Sequence, residues 1–347
     1  MIDLAKLPPM QRYIVENLVE HPTDIASVTA RKFGVTRQAV NRHLRALVEQ
    51  GALVAAGETR SRTYEFAVLG RKDVTLPNGP SLQEDEVWKD NVAPLLTWVP
   101  TNVRDICHYG VTEIVNNAKD HSGSPTVGVS TTVTLGDINV LVTDEGIGIF
   151  RKIKDACGLE DERHAIFELV KGKLTTDPAR HTGEGIFFAS RMFDAFDILS
   201  GSLYLSHSGR GPELLLDRSQ PTAGTHVGMR ISPLSSRTTA EVFDRYATDR
   251  DDYAFSRTHV VVALARSAGD EKLVSRSQAR RVLARLDRFK EIVLDFRGID
   301  TIGPAFADEI FRVFQNEHPE ITFTPVGMAD DVARMIRRAR SATPPSA

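Results

Sequence analysis

The apolar run Ile138-Asn139-Val140-Leu141-Val142 passes directly into Thr143-Asp144-Glu145-Gly146-Ile147-Gly148-Ile149. The run predicts a β-strand, and the acid and two glycines at its end predict a turn in which the backbone comes close to a neighbour. An aspartate at a strand end can accept a hydrogen bond from an exocyclic amine. The glycines let the backbone close around a purine ring. Standing alone, the same pattern also fits an ordinary turn, so its meaning depends on what surrounds it.

The surroundings are α/β (α+β). From Glu86 to Leu234, helical segments mix with β-rich runs such as Val127–Val133 and Val227–Ile231. With 41% hydrophobic and 26% charged residues, the chain has enough apolar surface for real cores. Its 347 residues exceed one typical domain and predict two or three. Residues 1–70 form a first module. The turn-rich stretch 71–85 (RKDVTLPNGPSLQED) reads as a linker, 86–236 as a second domain and 237–347 as a third. In the third, the apolar runs His259–Leu264, Ile292–Phe296 and Ile321–Val326 alternate with helical Gln278–Phe289, Ala305–Gln315 and Ala329–Ala339. That alternation predicts a small α/β domain.

In the first module, Ile25–Val48 reads as two helices joined at Phe33-Gly34-Val35, with Thr36 capping the second. That helix has an apolar stripe at Val40, Leu44, Leu47 and Val48. Its other faces carry Arg37, Gln38, Asn41, Arg42 and Arg45, side chains suited to base edges and phosphates in a major groove. A hairpin follows, pairing Leu53-Val54 with Tyr64-Glu65-Phe66, and its tip carries Arg60 and Arg62. The segment resembles a winged helix-turn-helix, which implies binding of double-stranded DNA through residues 1–70. The whole-chain charge of −3 hides this. Residues 1–72 hold 11 lysines and arginines against 7 acids, a net +4, which leaves −7 for the remainder. The same surface also fits a protein-docking or dimerisation module with solvated arginines.

Three further motifs accompany the strand end. In Thr112–Ser122 (TEIVNNAKDHS), Glu113, Asn117 and Asp120 fall on one helical face, while Ile114, Val115 and Ala118 turn to a core. A carboxylate one turn before a carboxamide suits orienting a water beside a hydrated Mg²⁺. His181-Thr182-Gly183-Glu184-Gly185-Ile186 opens a helix, whose amides offer an anion cradle. Gly224-Thr225 precedes the strand Val227–Ile231 and supplies a hydroxyl.

Taken in order, the four motifs resemble the N, G1, G2 and GT boxes of the GHKL ATP-binding superfamily, over about residues 86–234. The resemblance implies a Bergerat-fold α/β sandwich binding ATP and Mg²⁺ under a lid. It makes Glu113 the base that activates water and Asn117 the Mg²⁺ ligand. Asp144 then recognises the adenine amine, with Gly146 and Gly148 shaping its pocket. Thr182, Gly183 and Gly185 meet the phosphates, and Thr225 assists at the adenine side. Lys171, Lys173, Arg180 and His181, in the implied lid, are candidates to neutralise the γ-phosphate. Asp120 is similar to the acidic position of the hydrolytic branch, whereas His121 matches a histidine of the kinase branch. Glu184 departs from the usual leucine of the G2 box and sets a carboxylate where phosphates are expected.

Glu291–Pro304 resembles the central strand and loop of STAS domains. The loop position that usually presents a serine for phosphorylation is Gly303-Pro304-Ala305 here, which has no hydroxyl. That removes the regulatory phosphorylation and leaves docking or dimerisation, including a homodimer. Three activities remain open: a Mg-dependent ATPase whose nucleotide state controls DNA or partner binding, a serine/threonine protein kinase of the anti-sigma type, and an ATP sensor without hydrolysis. Cys107 and Cys157 are too few for a disulfide framework and read as buried side chains. No secretory signal or membrane-spanning run is visible, so a cytoplasmic protein is expected.

Overall fold

The structure, a computed structural model, describes residues 4–57, 62–174, 183–208, 214–247, 255–265 and 272–341. The chain is a mixture of α and β, with three sheets among the described residues, and it divides into two compact units. One comprises Met1–Gly146, Met192–Ile198 and Gly224–Thr238; the other comprises Ile147–Arg191, Leu199–Ala223 and Thr239–Ala347.

The first unit begins with helices α1 (Pro9–Asn17), α2 (Ile25–Phe33) and α3 (Arg37–Glu49). Gly34 ends α2 in the left-handed conformation, and the Thr36 side chain accepts from the Ala39 amide to start α3. Val40, Leu44 and Leu47 are buried with Ile14, Leu18 and Ile25, so the apolar stripe of α3 is the centre of this small core. β1 (Leu53–Ala56) and β2 (Thr63–Phe66) form an antiparallel pair, and Leu53, Tyr64 and Phe66 pack on the same core.

The stretch expected to be a linker is not irregular. Residues 70–77 form β3 (Gly70–Pro77), paired antiparallel with β4 (Thr126–Val133) along its whole length. Its sequence, GRKDVTLP, has polar residues because β3 is an edge strand, and Pro77 stands at its last position, after which the Asn78 amide donates to the Pro125 carbonyl. α4 (Glu84–Val87) follows, and then α5 (Thr101–His121). β5 (Ile138–Asp144) pairs antiparallel with β4 and with β7 (Leu214–Ile231), giving a five-stranded sheet in the order β3-β4-β5-β7-β6, where β6 is Ala195–Ser208. Only the first residues of β6 and the last of β7 belong to this unit. Val127, Val129, Thr131 and Val133 of β4 face the same side as Ile138, Val140 and Val142 of β5. α5 covers β5 with a buried face that includes Ile114, Val115 and Ala118.

The second unit holds α6 (Ile149–Cys157), α7 (Glu162–Lys171), α8 (Gly185–Met192), α9 (Thr239–Tyr246) and a three-stranded sheet. The sheet is β8 (Arg257–Val261), β9 (Glu291–Asp295) and β10 (Thr322–Val326), all parallel, with β9 central. Parallel strands need crossover connections. α10 (Arg276–Leu283) lies between β8 and β9. α11 (Pro304–Asp308), a π-helical turn over Glu309–Phe314 and α12 (Gln315–Glu317) lie between β9 and β10. α13 (Asp330–Ser341) follows β10. Cys107 is buried as expected, but Cys157 is exposed: as the last residue of α6 before the left-handed Gly158, it stands on the solvent side.

Candidate functional site

Asp144 occupies the fourth inward position of β5, after Ile138, Val140 and Val142. A period-two strand therefore carries its carboxylate into the apolar layer, and the residue is only 6% exposed. Its Oδ1 accepts from the Gly146 amide at 2.8 Å, and it also accepts from the backbone and hydroxyl of Thr225, its partner across the β5–β7 ladder. Burial pushes the carboxyl above the usual aspartate range, and these hydrogen bonds hold the rise in check.

The backbone around Asp144 is closely packed. A Cβ on Gly146 would lie 2.0 Å from the carbonyl oxygen of Ser122 at the end of α5, and one on Gly224 would lie 1.9 Å from the carbonyl oxygen of Asp144. Gly224 is also in the left-handed region, φ +66°. The strand end is thus fixed from both sides by residues that must be glycine. A hydroxyl that the sequence reading passed over completes the corner: Ser124 Oγ accepts from the Glu145 amide at 3.1 Å and donates to the Thr126 carbonyl at 2.7 Å. The Ser-Gly-Ser-Pro run after α5 was the available signal for it.

On α5, Glu113 and Asn117 are half-buried and Asp120 is exposed, one turn apart as the helical period requires. Asn117 Nδ2 donates to the Glu113 carbonyl at 2.7 Å. A carbonyl only accepts, so the amide nitrogen must face the helix, and the amide oxygen is turned away from that bond. A carboxamide oxygen not engaged in that bond is the kind of hard oxygen ligand that suits Mg²⁺, which keeps several waters and needs few protein groups when phosphates are present. No group of three or more His, Cys, Asp or Glu arranged for a metal occurs among the described residues.

The G2 segment and Gly148 lie in the second unit. Gly148, at φ +85°, is the N-cap of α6. Gly183, at φ +74°, packs against the backbone of Leu174, where a Cβ would lie 2.4 Å from the carbonyl carbon, and its own carbonyl accepts from the Leu174 amide at 3.1 Å. Gly185 begins α8. Thr182, Arg180 and His181 lie outside the described residues, as does Arg60. Glu184 is half-buried, and burial raises its carboxyl while the Lys173 ammonium opposes the rise. The departure from leucine therefore comes with its own counter-charge.

Lys171 does not fit the role of a phosphate-facing cation. It is 1% exposed and bonded to Glu168 Oε1 at 2.6 Å and to the carbonyls of Ala284 and Arg281 at 2.9 and 3.1 Å. Its ammonium has three donors and all three are taken. Lys173 likewise donates to the Arg288 carbonyl at 3.0 Å.

In the N-terminal module, Arg37, Gln38, Asn41, Arg42 and Arg45 are all exposed on α3, away from the buried Val40, Leu44 and Leu47. Arg62 is exposed just before β2, with its guanidinium 5.8 Å above the Tyr64 ring. Five polar or cationic side chains thus share the outer side of one helix.

Residues 278–333 match the family model described as a STAS-like domain of unknown function (DUF4325). The match runs from α10 through β9 and β10 into α13, so the C-terminal region of the chain is STAS-like. No curated protein matches the chain. No helix among the described residues is long and apolar enough to cross a membrane.

Proposed function

We propose that this chain is an ATP-binding, Mg²⁺-dependent ATPase of the GHKL type that binds double-stranded DNA through its N-terminal winged helix-turn-helix, with nucleotide state controlling DNA or partner binding. The observation that carries the nucleotide reading is Asp144. A carboxylate 6% exposed, fixed at a strand end by the Gly146 amide and Thr225 and walled by two obligatory glycines, is an acceptor held in one position, as a recognition site requires. An adenine amino group offers the donor that such an acceptor takes. The order of the four motifs along the chain adds to this, as does the Asn117 amide, whose nitrogen is held by the Glu113 carbonyl and whose oxygen is turned from that bond.

In this reading Asp144 orients the base and Asn117 holds the metal. Glu113 takes a proton from the attacking water. Mg²⁺, when bound with ATP, supplies neutralisation of the phosphate charge. The test is release of phosphate from labelled ATP by the wild type and by Glu113→Ala. The variant is expected to keep ATP binding and lose 10²-fold or more of turnover, roughly the contribution of a general base. Full turnover in the variant contradicts hydrolysis through Glu113. Label transferred to a protein assigns kinase activity instead.

A further inference from the structure

The resemblance places a lid between Phe150 and His181, and its described residues, 150–174, are packed on the STAS-like region. They belong to one compact unit with 239–347, and their contacts there are specific. Lys171 ends α7, and its ammonium meets the carbonyls of Arg281 and Ala284, in the last turn and C-cap of α10. Those carbonyls are the ones a helix end leaves exposed, and the negative end of the helix favours a cation. Glu168, one turn back on α7, supplies the counter-charge, and Arg285 extends the pair with a guanidinium 3.9 Å from Glu168 Oε2.

The surrounding bonds repeat the connection. The Thr258 hydroxyl donates to the Lys171 carbonyl at 2.6 Å, Arg281 contacts His164 Nε2 at 2.8 Å, and Arg285 and Arg288 both donate to the Lys173 carbonyl. On the far side of residues 175–182, Phe187 of α8 stacks on Phe255 with centroids 4.5 Å apart and meets the Tyr246 ring edge-on at 5.0 Å. Gly172, at φ +83°, leaves the space Phe255 occupies: a Cβ there would lie 2.6 Å from its ring. Leu174 and Gly183, the residues that bracket 175–182, are hydrogen-bonded to each other. The described residues on either side of 175–182 are therefore anchored by Tyr246, Phe255 and Thr258 and by the end of α10.

We propose that the STAS-like domain is the readout of nucleotide state, with the Lys171–Glu168 pair on the end of α10 as the latch that makes lid and domain move together. This rests on the ATP-binding reading above. Loose packing would let a lid close by itself. A buried ammonium with three fixed acceptors, which gives geometry more than stability, instead transmits any ordering of the lid to α10. Burial lowers the lysine to about 8, in keeping with a group held out of water for its position.

Hydrogen exchange of the full chain with and without Mg-ATP tests the latch, using the wild type and the paired substitution Lys171→Met with Glu168→Leu, which removes both fully buried charges and leaves only the half-buried Arg285 without its carboxylate. In the wild type, ATP should slow exchange at least twofold in 113–146 and also in 276–289. In the double variant, 113–146 should respond as before and 276–289 should not. Protection of 113–146 without any change in 276–289 of the wild type overturns the latch while leaving the ATP reading intact. Undiminished transmission in the folded double variant also overturns it. No response to ATP in either region overturns the ATP reading and the latch with it. If the double variant does not fold, the wild-type arm still decides whether 276–289 reads nucleotide state. Loss of that wild-type response above about pH 8, where Lys171 gives up its proton, while 113–146 still responds, then tests the latch.

Discussion

At Gly224 and Gly146 the chain has no room for a side chain, and the reason lies in single atoms. Gly224→Ala sets a methyl 1.9 Å from the Asp144 carbonyl oxygen at a φ of +66°. We expect a loss of about 3 kcal/mol, from strain and forced backbone shift together, read as a lower midpoint in denaturant. An unchanged midpoint would show that the β5–β7 ladder is looser than described. The two cysteines separate in the same direct way. Cys107 is fully buried and its thiol is pushed up to about 12, whereas Cys157 is exposed. A disulfide reagent at pH 8 should titrate one thiol per native chain and two after unfolding.

At the scale of elements, α7 and α10 give the sharpest prediction. Lys171→Met alone leaves Glu168 buried beside Arg285, and removing one partner of a buried pair costs about 3–5 kcal/mol. Adding Glu168→Leu should recover part of that loss, because the fully buried carboxylate is gone and the half-buried Arg285 can still reach water. The pH dependence follows from the lowered lysine. Between about pH 8 and its ordinary 10.5, the unfolded chain holds the proton that folded Lys171 has released. Unfolding then takes up protons, so stability rises with pH through that window. Denaturant melts of the wild type relative to the double variant should shift in favour of the wild type on going from pH 8 to 10.

Elements also show what the sequence could and could not carry. α3, β4, β5 and β9 were legible because their apolar residues repeat at one period and a cap or turn residue marks the end, as Thr36 and Gly34 do. β3 was not, because an edge strand buries little and GRKDVTLP reads as turn residues. The burial of Lys171 was also beyond reach. Its partners are the Arg281 and Ala284 carbonyls, 110 and 113 residues away, and a main-chain acceptor leaves no trace in residue type. For Asp144 the position was legible and the burial was not named, although the inward alternation Ile138, Val140, Val142 already pointed to it. Cys157 was misjudged from composition alone, since nothing local distinguishes the end of α6 from a core position.

For the whole molecule, the compact units cut across the division read from sequence, with residues 147–191 grouped beside the STAS-like region. The proposed DNA binding belongs to the N-terminal module. Anisotropy titrations of the full chain with double-stranded DNA should show Arg42→Ala and Arg45→Ala each weakening binding. The salt slope should fall by about 1 for each phosphate contact removed. Equal affinity and slope in wild type and variants would assign α3 to protein docking instead. The nucleotide reading is more central, and calorimetric titration of the full chain with Mg-ATP and Mg-GTP tests it most directly, for the wild type and Asp144→Asn. The account predicts one ATP per chain and at least tenfold weaker binding of GTP, whose ring carries an acceptor where adenine has its amine. It predicts a similar loss of ATP binding in Asp144→Asn. No heat with ATP, or equal affinity of both nucleotides for wild type and variant, would contradict it.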